Sequence, residues 1–211
     1  MPEGLTSRFG EALVYAALLH REQRRKGSGV PYVSHLLAVA ALVIENGGDE
    51  NQAIAALLHD AIEDQGGKKR RDEILRCFGE DVTEIVEGCT DSVADPKPPW
   101  KERKLAWIAT IDEKPASVLL VCAADKLHNA RCILSDYRTV GEELWERFTG
   151  GREGTLWYYG ALADALVRTG RTPLVDELVR VVGEIERLAG GHDGAPTSDG
   201  LEGETRTPRK A

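Results

Sequence analysis

With 211 residues, 42% of them hydrophobic, and a formal charge of −8, the chain is long enough to bury one substantial core and too short for a second domain of ordinary size. The negative balance excludes a general duplex binder, which needs a broad basic surface to neutralise phosphates; a small phosphorylated ligand needs only a local basic patch. The four cysteines, Cys77, Cys89, Cys122 and Cys132, form no CxxC pair, and the opening MPEGLTSRFG lacks the features of a secretion signal. No apolar run reaches the roughly 20 residues that span a bilayer. These features together lead us to expect a soluble, cytoplasmic protein with neither a membrane nor a nucleic acid as partner.

From Thr6 to Leu188 the apolar residues recur at helical spacing, and no segment shows the strict alternation of a half-buried strand. The class is therefore all-α. The spacing predicts helices over 6–26, 33–46, 50–64, 70–78, 81–92, 101–113, 115–136, 152–169 and 173–189. Breaks fall at Gly-Ser-Gly-Val-Pro 27–31, the glycine pairs 47–48, 66–67 and 150–151, Gly79, and Asp-Pro-Lys-Pro-Pro 95–99. Pro115 and Pro173 suit a first helical turn, where a missing N–H costs nothing. Residues 1–189 read as one single-domain helical bundle. Residues 190–211 have no periodic apolar face to offset the entropy of ordering, so a disordered polar tail is expected there, and His192 within it receives no role.

Three of these helices carry chemistry. In helix 33–46, His35 sits just inside the start of an apolar run, where a histidine can equally be a packed core residue. In helix 50–64, the segment AIAALLHDAIED presents His59, Asp60, Glu63 and Asp64 within an arc of roughly 140° at about 100° per residue, opposite Ile54, Leu57, Leu58, Ala61 and Ile62. A solvated face is the plain alternative, yet this patch holds three carboxylates, one imidazole and no cation. Asp60 and Asp64, four residues apart, repel unless a cation offsets them, and a divalent metal is such a cation. In helix 115–136, Asp125 follows the apolar run Val118 to Ala124. A buried carboxylate costs several kcal/mol unless paired or metal-bound, so Asp125 needs an arginine such as Arg131, or a metal ion. Two imidazoles and two carboxylates form a mixed N/O set suited to Mn, Fe or Zn, with room for water and substrate.

The order His35, His59-Asp60, Asp125 resembles the H…HD…D pattern of the HD phosphohydrolase superfamily. More specifically, RRKGSGVPYVSH, AALLHDAIED, FGEDVTEIVEGCTD and ADKLHNARCIL are similar to the hydrolase half of the Rel/SpoT stringent-response enzymes and to the small alarmone hydrolases. The likeness covers about 11–136 and continues weakly through 155–163. It implies one divalent ion, usually Mn²⁺, held by His35, His59, Asp60 and Asp125. It implies Glu63 and Asp64 beside the attacking water, and Arg25, Lys26 and Asn129 on the nucleotide. The implied reaction is hydrolysis of the 3′-diphosphate of guanosine tetra- or pentaphosphate to pyrophosphate and GDP or GTP. Adenosine alarmones and the 2′-phosphate of NADPH are alternatives for the same site, and a silent nucleotide-sensing module is a third. The small nucleotide is the one partner implied; oligomeric state is not legible. The family's usual proline after the first histidine is Leu36 here, a change expected to perturb helix entry more than ligation. Trp157, Tyr158 and Tyr159 could line a base pocket, but aromatics in an apolar helix suit the core better, and they receive no site role.

Overall fold

A computed structural model describes residues 4–92, 94 and 96–191; the 192–211 part of the expected tail, with His192, lies outside the described residues. The described chain folds into ten α-helices, and its one β-type pairing is an isolated bridge between Arg24 and Pro31. The helices are α1 Ser7–Leu19, α2 Val33–Glu45, α3 Glu50–Leu58, α4 Ala61–Gln65, α5 Gly67–Phe78, α6 Glu80–Cys89, α7 Trp100–Ala109, α8 Ala116–Val140, α9 Gly151–Thr169 and α10 Pro173–Gly190. Short 3-10 segments at Ile111–Glu113 and Gly141–Arg147 follow α7 and α8. Among the described residues no helix is long and apolar enough to cross a membrane.

Local chemistry sets the helix starts. Asp49 and Gln52 form a reciprocal capping box at α3, and Thr172 caps α10 ahead of Pro173. Thr6 caps α1, and both its N–H and its hydroxyl donate to Glu50 Oε1, at 2.6 and 2.8 Å, which ties the start of α1 to that of α3. The 25-residue α8, about 37 Å long at 1.5 Å per residue, is the central post. It packs against α2, α3, α6, α9 and α10, burying Val118, Val121, Leu127 and Ile133. Cys122 of α8 lies 3.6 Å from Cys89 of α6, and both are free thiols.

Several boundaries differ from the sequence reading. The first helix ends at Leu19 rather than 26. Beyond it the chain is polar, and of His20 to Gly29 only His20 is buried, so no packed face supports further turns. Instead the 20–32 segment doubles back as a loop, with Arg25 N–H donating to Val30 O and Tyr32 N–H to Gln23 O. The predicted helix 50–64 is two helices with a turn at His59 and Asp60. His59 Nδ1 lies 2.9 Å from Ala56 O, the acceptor that Asp60 N–H would use in an unbroken helix. Helix α8 runs four residues past the expected 136, because Tyr137 is still buried, and stops at Gly141, whose φ of +59° only glycine adopts readily.

The last helix is integral to the core: Leu174, Leu178, Val181, Val182 and Ile185 are buried against α8 and α9. Replacing Leu178, which is fully buried, with alanine is expected to lower the unfolding free energy by about 2–5 kcal/mol in urea titrations; a loss below about 1 kcal/mol would show α10 to be an appendage.

Candidate metal centre and active site

Three chain segments bring four polar side chains to one point. His35 enters from the first turn of α2, His59 from the end of α3, Asp60 from the turn that follows, and Asp125 from the middle of α8. His35 Nε2 lies 3.2 Å from Asp125 Oδ1 and 3.6 Å from Asp60 Oδ2; His59 Nε2 lies 2.9 Å from Asp60 Oδ2 and 3.6 Å from Asp125 Oδ1. Ligand atoms of His35, His59 and Asp125 all fall within 4.8 Å of one another, and all three residues are buried. Asp60 sits at the open side, its side chain 23% exposed. Arg131, the alternative partner for Asp125, pairs with Glu177 instead.

These residues fit a cation. His59 Nδ1 takes Ala56 O, an acceptor, so Nδ1 carries the proton and Nε2 points a lone pair inward. That Nε2 is buried and makes no hydrogen bond, although carboxylate oxygens stand 2.9 and 3.6 Å away. Lone pairs facing lone pairs at that range require a proton or a metal ion among them. Electrostatics agrees: burial opposes a charge on His59, but the Asp60 and Asp125 carboxylates outweigh it and hold its pKa well above the usual imidazole value. Burial likewise opposes ionisation of Asp60, yet His59 and His35 hold that carboxyl well below its usual range. For Asp125 burial is again outweighed, by Lys126 first and then by the two histidines.

Side chains outside the sequence reading orient this group. His35 Nδ1 lies 2.8 Å from His128 Nδ1. Burial, then His35 and Arg25, push His128 down to about 4, so near neutral pH it is uncharged and able to accept a proton from His35 Nδ1, the tautomer in which His35 Nε2 is free to ligate. Tyr32 donates to Asp60 Oδ2 at 2.5 Å, and burial, then the charge of Asp60, keeps its phenol protonated. Gln23 donates to Asp64 Oδ2 at 2.8 Å. The signal for His128 and Tyr32 was present, since each lies three residues from a candidate ligand, one helical turn away; neither residue type announces the role by itself.

The remaining candidates line one cavity of about 690 Å³ that opens over Asp60 and Asp125. Glu63 and Asp64 stand in α4 one turn beyond Asp60. Burial, then the charge of Asp60, raises the Asp64 pKa. Arg25 donates to Asn129 Oδ1 at 2.8 Å, and Asn129 Nδ2 donates to Asp125 Oδ1 at 2.5 Å, so two of the expected nucleotide contacts connect directly to the cluster. Lys26 is exposed on the same loop and lines the cavity. Tyr158 is buried in the core and Tyr159 packs partly buried against it, and both line the cavity; Trp157 packs on Trp100. Leu36, in place of the usual proline, is fully buried in α2 and leaves His35 within the cluster.

Comparison with known proteins identifies the family. The HD domain family model matches residues 12–156, more than half of the chain, and the chain belongs to that family. It is 36% identical over 129 residues to guanosine-3′,5′-bis(diphosphate) 3′-pyrophosphohydrolase MESH1 of Drosophila melanogaster, covering 60% of this chain and 69% of the fly protein. It is 40% identical over 124 residues to the Xenopus tropicalis protein of the same name, covering 57% of this chain and 66% of that one. It is also 40% identical over 129 residues to GTP pyrophosphokinase rsh of Brucella melitensis, covering 59% of this chain but only 17% of the much longer bacterial protein. Among solved structures, a metazoan ortholog of SpoT, described as hydrolyzing ppGpp and playing a role in starvation responses, superposes with a TM-score of 0.69 at 27% identity over 89% of this chain and 98% of that one.

A cation entering this cluster must displace the proton that the carboxylates hold on His59. The folded pKa of His59 lies above its unfolded value, so in the metal-free protein this proton contributes stability that is fully present below about pH 6.5 and is lost as pH rises through the raised value. Metal affinity is therefore expected to climb by up to about tenfold per pH unit over that window, with about one proton released per ion. Calorimetry in buffers of different ionisation enthalpy measures it; affinity independent of pH would contradict this arrangement.

Proposed function

We propose that this HD-domain chain hydrolyses the 3′-diphosphate of guanosine tetra- or pentaphosphate, using one divalent ion, Mn²⁺ in our reading, held by His35, His59, Asp60 and Asp125. The observation that carries the reading is the inward-facing, unpaired Nε2 of His59 among two carboxylates and a second imidazole, beneath a cavity lined by both acidic and basic groups. The names of the fly and frog relatives and the description of the metazoan structure support the substrate.

When bound, a divalent ion supplies Lewis acidity that acidifies water and stabilises charge on a phosphoryl group. The chain's own residues do the rest. Glu63 and Asp64 flank the open side of the cluster, where they orient a water and accept its proton. Burial and the charge of Asp60 raise the Asp64 pKa and make it a stronger base than an ordinary aspartate. The water oxygen bonds to the phosphorus attached to the ribose 3′-oxygen, and the bond between that phosphorus and the 3′-oxygen breaks. Pyrophosphate leaves, and the 3′-oxygen departs with a proton as the hydroxyl of GDP or GTP. Arg25, placed by Asn129, and Lys26 hold the nucleotide by charge and by the flat face of the guanidinium.

Asp60→Ala is expected to abolish metal uptake and turnover together. Glu63→Gln is expected to keep the metal and lose roughly 10²- to 10⁴-fold in rate. Metal content by mass spectrometry and identification of the released phosphate species check both; full activity in either variant, or release of orthophosphate from the 3′-diphosphate, contradicts the assignment.

A further inference from the structure

Arg103, Lys104 and Lys126 give the cavity a second basic side, remote in sequence from the Arg25 loop, and Lys97 reaches it through Glu63, which also lines the cavity. Arg103 and Lys104 of α7 converge on Asp91, Lys104 Nζ at 2.6 Å and Arg103 in close ion pairing. Lys97 Nζ lies 2.8 Å from Glu63 Oε1, and Arg103 Nη1 3.7 Å from the same oxygen. Lys126 joins them from α8, 2.7 Å from Asp125 Oδ2. Four cations thus meet three carboxylates. Two of those carboxylates, Glu63 and Asp125, are assigned above to the water and the metal ion, which leaves only Asp91 wholly committed to this basic side.

Burial makes that imbalance matter. The side chains of Arg103 and Lys104 are only 15% and 16% exposed, and a cation held away from water is stable only when well paired. The pairing is incomplete, since Arg103 Nε and Asp91 Oδ1 are buried without a hydrogen-bond partner. Lys104 Nζ sits 5.0 Å from the centre of the Tyr158 ring and Lys126 Nζ 5.5 Å from that of Trp107, so aromatic faces hold both ammonium groups in place while keeping water away. A fixed, largely desolvated and under-neutralised pair such as Arg103 and Lys104, with the more exposed Lys97 beside it, is a receptor for a multiply charged anion.

We propose that Lys97, Arg103 and Lys104 form a subsite for the outer phosphate of the substrate's 3′-diphosphate, and so for the pyrophosphate product. The inference rests on the proposed reaction, which places the inner phosphate over the metal cluster beside Glu63. An outer phosphate reaching Lys97 and Arg103 takes over their charge from Glu63, freeing that carboxylate for the water in the same step. The subsite reads two phosphates in a row, so it favours 3′-diphosphates over 3′-monophosphates.

The test compares kcat/KM of the metal-loaded protein for three guanosine nucleotides: a 5′-diphosphate with a 3′-diphosphate, the same with a 3′-monophosphate, and a 5′-monophosphate with a 3′-diphosphate. The wild type is expected to prefer the 3′-diphosphate over the 3′-monophosphate, and Lys104→Gln and Lys97→Gln should each shrink that preference by roughly tenfold or more, as loss of a charge-assisted hydrogen bond implies. Lys97 is the more exposed, so its variant keeps the test open should Lys104→Gln fold poorly. Equal loss on both 3′-forms, or loss of discrimination at the 5′ end instead, overturns the proposal. A wild type inert on all three sinks the proposed reaction alone. Binding of inorganic pyrophosphate at fixed free Mn²⁺ still judges the subsite: it should weaken by roughly tenfold in the variants while orthophosphate binding changes little, and unchanged pyrophosphate affinity refutes it.

Discussion

The structure is organised around one electrostatic conflict: two buried imidazole nitrogens aimed at two carboxylates, with oxygens 2.9–3.6 Å from the nitrogens. Nothing in a hydrocarbon core favours that meeting. It persists because each side chain is fixed from behind by a separate device. His59 is fixed by the Ala56 carbonyl, His35 by His128, Asp60 by Tyr32, and Asp125 by Lys126 and Asn129. A divalent cation resolves the conflict as a single proton cannot, since it offsets both carboxylates and accepts both lone pairs.

The fold serves that point of convergence. Helices α2, α3 and α8 pack on one another, with Leu36, Leu57, Leu58 and Leu127 fully or almost fully buried around the cluster's base. A close-packed floor of this kind has low compressibility, and it holds His35 and Asp125 on helices and His59 and Asp60 in the short turn that joins α3 to α4. Glu63 and Asp64 come from the short α4, Arg25 and Lys26 from the 20–32 loop, and Arg103 and Lys104 from α7. The buried cluster and the cavity above it thus draw on different parts of the chain.

How much of this was legible in the sequence follows from what carries a periodic signal. The apolar stripes of α2, α3, α8 and α10 identify those helices and their buried faces, and the residues that interrupt the stripes with polar chemistry, His35, His59, Asp60 and Asp125, are the ones the structure brings together. The turn at His59 and Asp60 was not legible, because it depends on a side chain competing for the Ala56 carbonyl, which leaves hydrophobic spacing unchanged. The loop after Leu19 was read as helix for the opposite reason: its polar run gives no period of any kind. Arg103 and Lys104 drew no role from the sequence. What turns them inward is Asp91, a partner 12 and 13 residues earlier in the connection after α6, and no local pattern records such a pairing.

The central claim is that both imidazoles ligate the same ion. Pulsed electron paramagnetic resonance of the Mn²⁺-loaded protein tests it most directly, because nitrogen nuclei bound to Mn²⁺ modulate the electron spin echo. The account predicts modulation from two imidazole nitrogens, reduced to one in His35→Ala. An echo showing water ligands and no coupled nitrogen would place the ion elsewhere and contradict it.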